Sequence, residues 1–201
     1  MEDLVEDVVG VAGRQLALLR PRDPEALLTE DAFSREEFLP YWAELWPSAL
    51  ALARAVGVRA LRGARVLELG CGLGLPSLAA AAAGGRVLAT DWAPDAIALL
   101  ACNAERNGLA VETLVCSWTA PSELVARAPW DLVLASDVLY EARNGEALLP
   151  LLPRLGAEVW LTDPGRAAAG PFLEAAAAVF DVEERRAAEL PSGALYRLRR
   201  H

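Results

Sequence analysis

Val66-Leu67-Glu68-Leu69-Gly70-Cys71-Gly72-Leu73-Gly74-Leu75-Pro76 is the stretch whose reading decides the fold. An apolar run of strand length passes directly into alternating glycines, and a helix is expected from about Pro76, proline being tolerated in a first helical turn. Glycine lets the backbone turn sharply and come close to a ligand; a Cβ at Gly70 or Gly72 would occupy the ligand's space. The stretch therefore reads as a nucleotide-cofactor loop joining a strand to a helix. A dinucleotide fingerprint wants glycine or alanine where this chain has Leu75, so the G-x-G-x-G spacing disfavours NAD.

Downstream of this loop, short apolar runs alternate with longer alanine- and leucine-rich stretches of helical period, the pattern of a mostly parallel α/β sheet with helices on both faces. Strands are expected at 65–69, 86–90, 111–115, 131–135 and 159–162, with helices after the first, second and fourth. Two more, at 179–184 and 194–199, complete a seven-stranded Rossmann-like sheet as an antiparallel pair. Upstream, residues 1–62 look helical in pieces, broken by Pro21, Pro24, Pro40 and Pro47. One domain is expected, a helical leader (1–62) and a core (63–201), because 201 residues with 54% hydrophobic content suit a single core.

Composition narrows the chemistry. All 19 positive residues are arginine, which removes P-loop phosphate binding and lysine Schiff-base chemistry. The only histidine is His201, and Cys71, Cys102 and Cys116 are scattered, so no metal site and no disulfide framework is indicated; the thiols are expected to be buried and reduced. A net charge of −9 argues against a nucleic-acid partner, with Arg197 to Arg200 read as a solvated strand end. The acidic start Met1-Glu2-Asp3-Leu4 and the lack of a long apolar run predict a cytoplasmic protein without a membrane partner.

Open α/β sheets bind ligands at the carboxyl ends of their strands, so the residues there are the candidates. Asp91 ends the second strand, where a carboxylate accepts hydrogen bonds from ribose hydroxyls; the alternative is a helix cap before Pro94. Trp92 offers a face to an adenine ring. The third strand ends in Cys116-Ser117-Trp118, with Ser117 placed to meet the adenine edge and Trp118 to pack nearby or in the core. The fourth delivers Ser136 and Asp137-Val138-Leu139-Tyr140, so that Asp137 and Tyr140 either face the reacting group or serve as a helix cap and a packed tyrosine. Tyr41, Trp42 and Trp46 form an aromatic cluster upstream, read either as core or as one wall of a pocket.

Glu68-Leu69-Gly70-Cys71-Gly72-Leu73-Gly74, Asp91 and Asp137-Val138-Leu139-Tyr140 together resemble the class I, seven-β-strand methyltransferases, and the D-x-x-Y pattern resembles their protein-lysine methyltransferase branch. Tyr41-Trp42-Ala43-Glu44-Leu45-Trp46-Pro47 and Asp163-Pro164-Gly165-Arg166 are similar to segments of the lysine methyltransferases that modify the electron transfer flavoprotein β subunit. This chain departs from that subgroup in having Ser48-Ala49-Leu50 where a glycine-rich stretch is usual. The resemblance implies S-adenosyl-L-methionine as cofactor, held by Trp46, Glu68, Gly70, Cys71, Gly72, Gly74, Leu75, Asp91, Trp92, Ser117, Trp118 and Ser136. It implies Asp137 and Tyr140 as the catalytic pair, and a lysine-bearing protein as substrate.

Methyl transfer from a sulfonium is an in-line displacement on an activated carbon, so the protein mainly aligns the partners in a dry site. A lysine ammonium, with a pKa near 10.4, must lose a proton before it has a lone pair to attack with. Asp137 would orient the amine and Tyr140 direct its lone pair. Two alternatives stand beside this reading: a small-molecule N- or O-methyltransferase, and a catalytically silent interaction module with Trp42, Trp46 and Trp130 partly exposed. The Asn/Asp-Pro-Pro-aromatic tetrad of base-amino methyltransferases is absent.

Overall fold

The computed structural model describes residues 3–27 and 40–201. The chain opens with a β-hairpin, where helical pieces are expected from composition: β1 (Leu4–Val11) pairs antiparallel with β2 (Arg14–Pro21), Leu4 opposite Pro21 and Val11 opposite Arg14. Ala12 and Gly13 turn it with left-handed φ values of 50° and 79°, the two-residue geometry that matches strand twist. Val5, Val8, Val9 and Val11 favour a strand, and Leu16 and Leu18 are buried at a period of two. Residues 28–39 of the expected leader lie outside the described residues. The helix α1 (Pro47–Gly57) follows a single 3-10 turn, Tyr41–Ala43.

From residue 65 the expected alternation of strands and helices is present. It runs β3 (Arg65–Leu69), α2 (Leu75–Ala82), β4 (Arg86–Asp91), α3 (Pro94–Arg106), β5 (Val111–Val115), α4 (Ser122–Ala126) and β6 (Leu132–Ser136). It continues with α5 (Ala142–Leu155), β7 (Glu158–Asp163), α6 (Ala169–Ala176), β8 (Phe180–Arg185) and β9 (Ala194–Arg200). Among the described residues seven strands form one sheet in the order β5-β4-β3-β6-β7-β9-β8, parallel except where β9 pairs antiparallel with β7 and β8. Side chains alternate between its faces: Val66, Leu132 and Leu134 share one apolar cluster with α1, α2 and α3, while Leu67, Val133 and Ala135 share the other with α5 and α6.

The hairpin is fastened to this sandwich by an unusual pairing. Asn103 on α3 and Asn107 at its C-cap, four residues on, present their amides to the outer edge of β2. Asn107 accepts from Ala17 N–H (2.9 Å) and donates to Ala17 C=O (2.7 Å); Asn103 accepts from Leu19 N–H (2.7 Å) and donates to Leu19 C=O (3.1 Å). The spacings agree, since four helical residues rise about 6 Å and two strand residues about 6.6 Å. Asn103 also donates to Leu73 C=O at 3.3 Å, linking the hairpin to the glycine loop.

A second tie joins the end of α1 to the antiparallel half of the sheet. Glu158 accepts two hydrogen bonds from Arg59 (2.9 and 3.0 Å), one from Arg197 (3.1 Å) and one from Trp160 Nε1 (2.8 Å), and both guanidiniums stack on the Trp160 ring. Burial alone would push the Glu158 carboxyl up, but the bonds from Arg59, Trp160 and Arg197 outweigh it and hold the pKa at about 2. Arg197 therefore belongs to the fold, not to a solvated strand end; Arg199 and Arg200 are exposed as expected. Of the thiols, Cys71 and Cys116 are buried and Cys102 is exposed on α3. Trp130, expected at the surface of an interaction module, is 6% exposed with the Arg65 guanidinium 4.6 Å over its ring.

Candidate active site

The sheet reverses its strand order between β3 and β6, the place where open α/β folds form a crevice at the carboxyl edge. A cavity lies there. The glycine loop forms its floor, with Gly70, Gly72 and Gly74 at φ values of 65°, 50° and 80°, which side chains rarely adopt. What a Cβ would meet differs along the loop: at Gly72 the Trp42 carbonyl oxygen at 3.2 Å, at Gly74 the Leu100 side chain at 2.0 Å. Gly74 thus serves the packing of α3, whereas a Cβ at Gly70 would meet the Trp118 ring at 3.1 Å.

Most of the loop's internal donors are spent within the protein. Cys71 N–H donates to Thr90 C=O (2.9 Å), Gly72 N–H to Asp91 Oδ2 (3.0 Å), Gly74 N–H to Cys71 C=O (2.8 Å) and Ser77 N–H to Glu68 Oε2 (2.9 Å). Asp91 lines the cavity at 4% exposure and also accepts from Ala93 N–H at 3.0 Å, so it props the loop and turns the chain into α3 at once. Burial raises the Asp91 pKa.

Twelve of the residues singled out from sequence line this cavity: Trp46, Gly70, Cys71, Gly72, Gly74, Leu75, Asp91, Trp92, Trp118, Ser136, Asp137 and Tyr140. Glu68 and Ser117 do not. Glu68 is fully buried beneath the loop, where its Oε2 accepts from both the backbone and the hydroxyl of Ser77 and caps the start of α2. Burial pushes its pKa up to about 8, and its Oε1 has no partner among the described residues. A strand-end carboxyl preceding a glycine loop points down into the helix terminus as readily as up to a ligand, which sequence does not distinguish. Ser117 instead shares a hydrogen bond with the Thr119 hydroxyl at 2.8 Å.

At the other side of the crevice, β6 ends in Ser136 and Asp137. Asp137 adopts a left-handed φ of 54°, uncommon without glycine, and its N–H donates to Thr162 C=O at 2.8 Å. Its carboxylate is 7% exposed and accepts two bonds from Arg166, Nε at 2.8 Å and a terminal nitrogen at 3.1 Å. Arg166 comes from the turn after β7, where Asp163 Oδ1 accepts from the N–H groups of Gly165 and Arg166, both at 2.7 Å. Arg166, in sequence part of a flanking segment with no expected role, lines the cavity. The available signal was its place just past the fifth strand of the same carboxyl edge.

Aromatic rings close the mouth. Tyr41 lies 5.4 Å from Tyr140 and 6.3 Å from Trp46, whose Nε1 donates to Tyr41 C=O at 2.7 Å, and Arg166 sits 5.8 Å over the Trp46 ring. The upstream aromatic cluster is therefore a pocket wall. Glu44 and Glu141 line the same cavity, Glu141 in an ion pair with Arg143. Burial raises the Tyr140 pKa. Among the described residues no group of histidine, cysteine and carboxylate side chains could hold a metal ion, and no helix is long and apolar enough to cross a membrane.

Solved structures share this architecture. The Thermus thermophilus 16S rRNA N2 G1207 methyltransferase superposes with a TM-score of 0.73 over 100% of this chain and 52% of its own, at 17% identity. A TehB-like methyltransferase from Corynebacterium glutamicum gives 0.62 over 85% and 96%, at 20% identity. These likenesses show the fold, a Rossmann-like α/β domain with its crevice at the carboxyl edge. Within that fold class the chain belongs to the lysine methyltransferase family, whose model matches residues 41–161. The electron transfer flavoprotein beta subunit lysine methyltransferase of Xenopus laevis is 36% identical over 140 residues, 64% of this chain and 54% of that protein. Histone-arginine methyltransferase METTL23 of Mus musculus is 30% identical over 145 residues, 69% of this chain and 53% of that one. The chain spans about half the length of the curated relatives it matches.

Proposed function

We propose that this chain transfers a methyl group from S-adenosyl-L-methionine to lysine ε-amines of a protein partner. The observation that carries the cofactor assignment is the state of the glycine loop. A pyrophosphate needs free N–H groups at the helix start, yet the N–H groups of Cys71, Gly72, Gly74 and Ser77 are engaged internally, and the Glu68 and Asp91 carboxyls lie beneath them. Such a site suits a nucleoside cofactor that carries no phosphate. Asp91 would receive the ribose hydroxyls, Trp92 and Trp118 would flank the adenine, and the glycine loop would approach the remainder. When bound, that cofactor supplies a methyl carbon already activated by the sulfonium.

The acceptor assignment rests on the family and on the crevice between Asp137 and the aromatic wall. A neutral amine attacks with one lone pair and needs one hydrogen-bond acceptor to fix its direction. An arginine acceptor would need a carboxylate fork, and the fork of Asp137 is already filled by Arg166. This favours lysine over the guanidinium implied by the arginine-methylating relative. Glu44 in the cavity lining suits a basic target segment. Purified protein incubated with methyl-labelled cofactor and a lysate should place label on lysines of one protein partner, read by mass spectrometry, with the electron transfer flavoprotein beta subunit the first candidate. Label confined to small molecules would transfer the reading to a small-molecule methyltransferase. This chain contains no lysine, so automethylation at lysine cannot obscure the result.

A further inference from the structure

We propose that Arg166 is a positioning residue for the transfer, acting on the acceptor amine solely through Asp137. The inference rests on the reading of the chain as a protein-lysine methyltransferase and extends it to a residue outside the D-x-x-Y pattern. Asp137 sits at the end of β6 in a left-handed conformation that costs a non-glycine residue energy, so its carboxylate direction depends on what holds it. Two bonds hold it, from Nε and a terminal nitrogen of Arg166 at 2.8 and 3.1 Å, the planar fork that fixes a carboxylate in orientation as well as position.

Arg166 is itself anchored. Its N–H and that of Gly165 both donate to Asp163 Oδ1 at 2.7 Å. Gly165, at a φ of 100°, passes so close to the next segment that a Cβ there would lie 2.5 Å from the Ser192 carbonyl oxygen. The Arg166 guanidinium lies 5.8 Å over the Trp46 ring, so one wall of the cavity also braces it. The chain of support therefore runs from β7 through the turn to Arg166 and on to Asp137. With one lone pair of each Asp137 oxygen occupied by the fork, a second pair is left for the amine, and the direction of that pair is set by Arg166. In the transfer, the amine, having given its proton to solvent, forms the nitrogen–carbon bond while the carbon–sulfur bond breaks and its electron pair leaves with sulfur. Arg166 takes no part in these bonds.

A double-mutant cycle on turnover of a lysine-bearing protein acceptor tests this. Asp137→Ala and Arg166→Gln should each lower kcat about 10²-fold, and the double variant should be no slower than Asp137→Ala alone, because a residue acting only through Asp137 has nothing to act on once it is gone. Affinity for S-adenosyl-L-methionine should stay within about threefold in Arg166→Gln, and Arg166→Lys should recover only part of the rate, as a point charge replaces a fork. Multiplicative losses, approaching 10⁴-fold in the double variant, would overturn the proposal, as would full activity in Arg166→Gln. A loss of kcat that follows cofactor affinity and melting temperature downward in both Arg166 variants would mark the ion pair as structural and overturn it too. Failure of the underlying reading looks different: the unmutated protein would then label no lysine at all.

Discussion

At the scale of single residues, Glu68 carries the sharpest conflict between sequence pattern and environment. It stands where a ligand-facing acid is expected, yet it is sealed under α2 with one oxygen unpartnered among the described residues and a pKa pushed by burial to about 8. The unfolded chain ionises this group near its ordinary value of 4.5, while the folded protein holds the proton until about 8. Below pH 4.5 both states are protonated and burial has no ionisation cost. Between those values the unfolded state releases its proton first, so stability declines with rising pH, by an amount on the order of 4 kcal/mol by pH 8. Glu68→Gln keeps an acceptor for Ser77 and removes the titration. Its stability should match the unmutated protein near pH 5 and exceed it increasingly toward pH 8. A difference in denaturant midpoint that does not vary with pH would show that Glu68 does not titrate this way.

At the scale of elements, the hairpin is held by side chains of a helix imitating a strand. Asn103 is fully buried and makes three hydrogen bonds to backbone groups of Leu19 and Leu73. Replacing it with alanine leaves those groups without partners in a dry site, a loss of about 2–4 kcal/mol at the usual cost of unsatisfied buried polar groups. Asn103→Ala should also speed amide exchange at Leu19 before the central strands open, since the amides of Asn103 and Asn107 bond the backbone of β2 along this edge. Exchange at Leu19 that remains as slow as in β3 would show that apolar packing alone secures β1 and β2.

At the scale of the whole molecule, the two apolar clusters on either side of the sheet make one cooperative unit, and the crevice lies where they meet the carboxyl edge. A ligand bound only by the folded state raises its stability by mass action. S-adenosyl-L-methionine at a hundred times its Kd should add about 2.7 kcal/mol and lift Tm by roughly 5–10 °C. NAD should leave Tm unchanged, because the loop's internal donors and the carboxyls beneath them leave little to receive a pyrophosphate. A melting shift with NAD alone would sink the reading of that loop.

The sequence by itself determined the α/β architecture from residue 65 onward and most of the cavity lining. Strand and helix periods, glycines at left-handed turns and the position of Asp91 and Asp137 at strand ends are local properties, and they survive whatever the chain packs against. Only the tertiary structure decided the rest. Leu16-Ala17-Leu18-Leu19 has the composition of a helix and becomes a strand because Asn103 and Asn107, more than 80 residues away, satisfy its backbone. Glu68 turns from the ligand side to the helix side because Ser77 offers it two donors there. Arg166 enters the site because β7 lies beside β6 in the sheet, a neighbour relation set by topology, which brings residues 29 positions apart within hydrogen-bonding distance.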